Sequence, residues 1–298
     1  MMHKRAQTNI SLSNDEISNL LKYFPNGVCS FDFEMTGLSP LFDHIIEIAA
    51  IKITPDAQVK TFHALINPLI PLPERTKKYH GITNEELRDR PTIKYVIRDF
   101  AQFYGNFPLI AHNAQFDASF LVRSLKEQHI ELSLSDIFDS CRFARNIFKK
   151  AQSPPRDHKL STLAEYFNFD FTHHVALEDS IIALKVFSKL INLSISQDKG
   201  LKDLSFLYKL KSFDKNYEVF LPKKLKGIET FVQNQTLISI KYKGGSNPNA
   251  SRVIRPLAIM NMPNGLILYA HCQESDKNKY YKLKKIHSFS SITEKNDK

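Results

Sequence analysis

Asp32 and Glu34 in FDFEMTG, Asp117 in AHNAQFDASFL, and His174 and Asp179 in HVALEDS make a set of four carboxylates and one histidine spread over about half the chain. Side chains two positions apart on a strand leave the same face, so Asp32 and Glu34 point together. Two such carboxylates repel one another, and the remedy is an oxygen-seeking divalent cation, Mg²⁺ or Mn²⁺. A loop histidine that titrates near neutral pH can take a proton from water. Four acids and that histidine on one scaffold are what two-metal phosphodiester hydrolysis needs. Each fragment alone also has an ordinary reading. Asp32 and Glu34 fit an edge strand with surface acids, Asp117 and Asp179 fit acids in a first helical turn, and His174 fits a surface histidine. The set in this order separates the readings.

The elements that must position these residues follow from periodicity. An apolar strand over residues 27–34 ends in the acidic pair, with Phe31 and Phe33 turned to the opposite face. IIEIAAIKI (45–53) is isoleucine-rich, as a strand covered on both faces would be. VKTFHALI (59–66) alternates and predicts a third strand. PLIA predicts a short buried strand, after which His112 and Asn113 stand where open α/β sheets place ligands. Helical spacing begins at Asp117 and runs through 118–128, a fifth strand is expected at 137–140, and helices at 160–167 and 176–193. A further short helix over 14–23 is expected to be capped by Asn14. The pattern predicts an α/β fold, a mixed five-stranded sheet flanked by helices.

The chain has 298 residues and 42% hydrophobic content, enough for one or two packed domains. No apolar run approaches the ~18 residues of a membrane span, and MMHKRAQTNISLSNDEIS lacks the apolar stretch of a secretory signal. The expectation is a cytoplasmic protein with no membrane partner. Cys29, Cys141 and Cys272 are far apart and form no CxxC pair, which argues against a zinc site or a disulfide framework. Cys29 is read as a small core residue. Charge is unevenly placed: residues 196–298 carry 19 basic and 9 acidic side chains, a net of +10, while residues 1–195 carry 22 of each. Such asymmetry points to an appended module for a polyanion.

FDFEMTGL, YHGIT, AHNAQFDASFL and HVALEDS, in this order, resemble the motifs of the DEDDh 3′–5′ exonucleases of the ribonuclease H-like superfamily, which include polymerase proofreading subunits and ribonuclease T. The resemblance spans residues 26–190. It implies that Asp32, Glu34, Asp117 and Asp179 hold two divalent cations and that His174 is the general base. It implies release of nucleoside 5′-monophosphates from the 3′ end of single-stranded or frayed DNA or RNA. By the same transfer Met35, Thr36, Gly37 and Leu38 contact the terminal nucleotide, Leu38 as a wedge beside a base, and His112, Asn113 and Phe116 line the cleft. Met35 departs from the family, which usually has threonine there, so contact with the 3′ end or ribose is expected to differ. Tyr166 and Asp170 form the YxxxD pair of the tyrosine branch. Asp170 has no amphipathic helix after it, whereas Asp179 leads into IIALKVFSKLI, so the histidine branch is preferred.

Residues 1–25 read as a helical extension, 26–194 as the exonuclease domain, 195–228 as a lysine-rich linker and 229–298 as a small all-β domain. RVIRPLAIMNMPNGLILYAHC and KYYKLKKIHSF resemble a WYL domain, an Sm-like β-barrel. The namesake tripeptide falls at Leu266, Ile267 and Leu268 and has lost its Trp and Tyr. The resemblance implies nucleic-acid contacts at Arg252, Lys279 and Lys285, with lysine keeping charge but losing the bidentate fork. Tyr280 and Tyr281 can stack on bases, or Tyr281 and Leu283 can point inward while Lys282 and Lys284 point out, as in any half-buried strand. A competing reading is a nucleic-acid-sensing regulator whose nuclease fold is inactive; the complete five-residue set argues against it. The sequence leaves a homodimer open.

Overall fold

The computed structural model describes residues 10–170, 175–197, 206–216, 221–245 and 247–292. They form two compact units: Met1–Thr36 with His44–Lys211, and Gly37–Asp43 with Ser212–Lys298.

In the first unit α1 (Asn14–Tyr23) precedes three antiparallel strands, β1 (Val28–Met35), β2 (Ile45–Ile53) and β3 (Val59–Leu65). The cap of α1 is Ser13, one residue before the expected Asn14. Its hydroxyl accepts from Glu16 N–H while Glu16 reaches back to Ser13 N–H, a complete capping box. Three helices follow, α2 (Glu74–His80), α3 (Asn84–Leu87) and α4 (Ile93–Tyr104). Next come β4 (Leu109–Ala111), α5 (Gln115–Glu127), β5 (Asp136–Asp139), α6 (Ser140–Phe148), α7 (Leu160–Tyr166), α8 (Ala176–Ser196) and β6 (Leu207–Lys209). The sheet order is β3-β2-β1-β4-β5-β6, with β1, β4 and β5 parallel and β6 antiparallel to β5.

This sheet has six strands where the sequence suggested five. The sixth comes from the segment read as a linker, and the first unit continues to Lys211 rather than stopping at 194. Leu207–Lys209 is too short and too lysine-rich to signal a strand, yet it completes the open edge of β5. Its neighbour Phe206 is fully buried and stacks on Phe143 with ring centroids 4.3 Å apart.

The two faces of β1 have different tasks. Phe31 and Phe33 pack with Phe100 of α4, and Phe62 of β3 joins them at 5.5 Å from Phe100. Val28 and, on β2, Ala49 and Ile51 look the other way, into a core shared with Ala176, Ile182, Ala183 and Phe187 of α8. Asp32 lies opposite Ala49 in the ladder, so the acids leave β1 toward the side that carries α8.

The second unit holds α9 (Ile228–Asn234) and strands β7 (Ile238–Tyr242), β8 (Ser251–Met262), β9 (Gly265–Cys272), β10 (Lys277–Lys282) and β11 (Ile286–Ser291). They form one antiparallel sheet ordered β10-β9-β8-β7-β11. No pairing joins β10 to β11 among the described residues, so the expected Sm-like barrel is instead an open sheet. KYYKLKKIHSF, read as one run, is two strands divided by a 3₁₀ turn at Leu283–Lys285. Its core gathers Ile240, Ile254, Ile259, Leu268, Tyr281 and Ile286.

Residues 37–43 fold as part of this second unit. Ser39 Oγ donates to the Ile259 carbonyl at 3.0 Å and accepts from Ile259 N–H at 3.3 Å. Leu41 and Phe42 pack on the unit's core. Among the described residues no helix is long and apolar enough to cross a membrane.

Candidate active site

The chain brings its acids together at the end of β1. Asp32, Glu34 and Asp179 each offer a carboxylate oxygen, and the three atoms lie within 4.8 Å of one another. Asp32 and Glu34 arrive from one strand face. Asp179 arrives from the first turn of α8, where its N–H donates to the Val175 carbonyl at 2.9 Å. Asp179 is 4% exposed, so its carboxylate is committed to this interior cluster rather than to solvent. Burial raises Asp32 well above the usual carboxylate range, and the carboxylates of Asp179, Asp117, Glu34 and Glu47 push it the same way. A cluster that resists its own ionisation is completed by positive charge.

Asp117 stands in the first turn of α5, and its Oδ1 accepts from Phe33 N–H at 3.3 Å. That bond ties the helix to the strand segment between Asp32 and Glu34. Burial pushes the Asp117 carboxyl up to about 7, the N–H groups of Asp117 and Phe33 hold it back, and Asp139 and Asp179 add to the rise. Asp117 is thus one hydrogen bond away from the β1 backbone, and the fourth acid of the predicted set falls beside the other three.

Two further acids were not singled out from sequence. Asp139, fully buried, caps α6 by accepting from Arg142 N–H at 3.1 Å and also accepts from Asn113 N–H at 3.1 Å. Desolvation raises its carboxyl to about 6. Glu47 is fully buried on β2, directly opposite Glu34, and its Oε1 lies 2.7 Å from His63 Nε2 on β3. The available signal was one acid inside the apolar run IIEIAAIKI, since a buried charge needs a partner. The partner itself depends on the β2–β3 register.

The other predicted contact residues take varied places. Met35 follows an irregularity in the β1–β2 ladder. Thr36 is buried, with its N–H donating to the His44 carbonyl and its Oγ1 accepting from His44 N–H, each at 2.9 Å. A Cβ on Gly37 would lie 2.4 Å from the Asp43 carboxylate, so a larger residue there would require the Asp43 side chain to move. Leu38 is exposed. Asn113 adopts φ +61°, a left-handed conformation that asparagine tolerates, and passes the chain from β4 into α5. His112 is held at both ring nitrogens. Nε2 donates to the His158 carbonyl at 2.9 Å, and Nδ1 lies 2.8 Å from Ser140 Oγ. Phe116 is buried in α5.

His174 lies outside the described residues. The rejected pair is placed: Tyr166 is exposed with its hydroxyl donating to the Ser153 carbonyl, and Asp170 is exposed.

A mixed sheet whose first strand delivers two acids toward acids on two following helices is a scaffold that can gather divalent cations. The chain belongs to the exonuclease (RNase_T) family, which matches residues 29–187. It is an enzyme of the exonuclease class. It is 35% identical over 176 residues to the PolC-type DNA polymerase III of Caldanaerobacter subterraneus subsp. tengcongensis, an alignment that covers 59% of this chain and 12% of that protein. With the PolC-type DNA polymerase III of Thermotoga petrophila it shares 30% identity over 249 residues, 81% of this chain and 17% of that protein. In fold it is similar to E. coli exonuclease I in complex with a dT13 oligonucleotide, with TM-score 0.51 and 13% identity over 82% of this chain and 55% of that one.

Proposed function

We propose that the chain is a metal-dependent nuclease that shortens nucleic acid from single-stranded or frayed 3′ ends, releasing nucleoside 5′-monophosphates. The observation that carries this reading is the gathering of Asp32, Glu34 and Asp179 within 4.8 Å, with Asp117 bonded to the strand between the first two. Hard oxygen donors of this kind suit Mg²⁺ or Mn²⁺. The raised carboxyls of Asp32 and Asp117 fit such cations, because an added positive charge removes the repulsion that raises them. Bound at these four acids, a cation pair supplies charge stabilisation to the attacking and leaving oxygens.

The chain's own residues do the rest. Asp32 and Glu34 leave a buried strand, and Asp117 is braced against it, so the donors are fixed before substrate arrives. His174 takes the proton of the attacking water. By the resemblance of FDFEMTGL, the exposed Leu38 and its neighbours Met35, Thr36 and Gly37 contact the terminal nucleotide. The basic C-terminal unit, by its resemblance to WYL domains, holds the polymer, in the cytoplasm.

The test is product analysis. Single-stranded DNA, single-stranded RNA and duplex are each incubated with Mg²⁺, with Mn²⁺ and with chelator, and the products are separated by chromatography. Nucleoside 5′-monophosphates that need the cation and come first from a single-stranded polymer are the expected result. Short oligonucleotides as first products, or equal yield in chelator, contradict it.

A further inference from the structure

The two tyrosines of β10 part company in the structure. Tyr281 is buried in the C-terminal core, edge-on to Tyr242 with ring centroids 5.1 Å apart. Tyr280 points the other way and is 41% exposed. Directly across the ladder stands Tyr269 of β9, and the two rings lie 4.9 Å apart with planes inclined by 33°. Asn278 and His271, the next pair on the same face, hold this arrangement. Asn278 Nδ2 donates to Tyr269 Oη at 3.0 Å, and Asn278 Oδ1 lies 3.1 Å from His271 Nδ1. His271 Nε2 in turn lies 3.2 Å from Asp276 Oδ1. Tyr269 is therefore tethered through its hydroxyl while its ring stays beside that of Tyr280.

β10 is an edge strand of its sheet. Lysines on such an edge deter unwanted strand pairing, and Lys277, Lys279 and Lys282 fit that use. Deterrence does not account for a pair of aromatic rings on the same edge. Lys282 shares the Tyr280 face, two residues along the strand. Arg255 of β8 lies across from His271 and is exposed. The positions suggested by resemblance are differently occupied. Arg252 donates to the carbonyls of Gly244 and Asn247 and lies over the Tyr242 ring, and Lys279 Nζ lies 3.8 Å from Cys272 Sγ on the opposite face.

We propose that the Tyr269–Tyr280 face of the β9–β10 edge is a docking surface for single-stranded nucleic acid, with bases stacking on the two rings and Lys282 and Arg255 meeting the phosphates. The occupant is argued from charge, because the last third of the chain carries all of the net +10, and from the rings, because every base offers a face to stack on. The choice of a nucleic acid rests on the proposed function, and the test separates the two.

The full chain with Asp32→Asn, in chelator, is titrated into dye-labelled oligothymidylate and oligouridylate and followed by fluorescence anisotropy. Tyr280→Ala and Tyr269→Ala are each expected to weaken binding about ten-fold. Tyr280→Phe stays within about two-fold, because the ring and not the hydroxyl stacks. Lys282→Gln lowers the salt slope by about one. An unchanged Kd for Tyr280→Ala, with an unchanged circular dichroism spectrum, overturns the proposal. So does sedimentation showing that Tyr280→Ala separates a dimer, since the face would then serve a second copy. Absence of turnover in the wild type with intact, Tyr280-dependent binding overturns the nuclease reading and leaves this surface standing.

Discussion

The catalytic unit and the C-terminal unit use charge in opposite ways. In the first, acids are carried inward: Asp117, Asp139, Asp179 and Glu47 are all buried, and burial drives the Asp32, Asp117 and Asp139 carboxyls upward. In the second, charge is carried outward on a small sheet: Lys277, Lys279, Lys282 and Arg255 are exposed around an apolar core. Buried like charges are costly unless a counter-charge completes them, whereas exposed lysines cost little and act over a Debye length. The unit of small net charge, with 26 basic and 23 acidic side chains, therefore holds the concentrated electrostatic work, and the unit with 15 basic and 8 acidic side chains is electrostatically relaxed.

The sharpest way to break this contrast is to remove one buried acid. Asp179→Asn should lower turnover by at least about a thousand-fold, on the scale of losing a charge-stabilising group, and should remove most of the thermal stabilisation by Mn²⁺. Calorimetry with and without Mn²⁺ reads the second effect. A variant that keeps full cation stabilisation would separate Asp179 from the cluster.

His174→Gln comes next. It should cost about 10²–10⁴ in turnover, the usual worth of a general base, and leave cation stabilisation as in the wild type. It should also flatten the acid limb of the pH–rate profile. Loss of cation binding instead would make His174 a ligand.

The acid cluster also predicts a pH signature. The cation-free native protein keeps a proton on Asp117 up to about 7, whereas a free carboxyl gives it up near 3.8. The native state thus binds more protons than the unfolded one across that window, and stability falls as pH rises through it. A cation favours the ionised acids, so the rise in Tm on adding Mg²⁺ should grow from pH 5 to pH 8. A rise that is largest at pH 5 has the wrong sign for this account.

The smallest effect lies at residues 37–43, which leave β1 two residues past Met35 yet fold with the C-terminal sheet. Ser39→Ala deletes a hydroxyl that donates to and accepts from Ile259. It should cost about 1 kcal/mol of C-terminal stability and raise KM about two- to five-fold with kcat nearly unchanged. An equal fall in kcat would place this loop in the chemical step.

The sequence disclosed whatever local pattern determines. IIEIAAIKI is β2 to the residue, because a strand covered on both faces must be apolar throughout. Asp32 and Glu34 were legible as a pair because strand parity alone puts them on one face. What escaped depends on partners distant in sequence. Nothing near Glu47 announces His63, sixteen residues on, because the β2–β3 register brings them together. Leu207–Lys209 reads as a polar linker until β5 offers an edge. Tyr280 and Tyr281 are indistinguishable as letters, and only the ladder to β9 shows that the first lies beside Tyr269 and the second enters the core.

The central claim is that the four acids run a cation-dependent 3′–5′ exonuclease. It is tested most directly by following one single-stranded oligonucleotide labelled at its 5′ end and, separately, at its 3′ end, with Mn²⁺, in wild type and Asp32→Asn. The wild type should convert the 5′ label into a descending ladder while the 3′ label leaves at once as a mononucleotide, and Asp32→Asn should do neither. Equal degradation by Asp32→Asn, or a ladder from the 3′ label, would contradict the account.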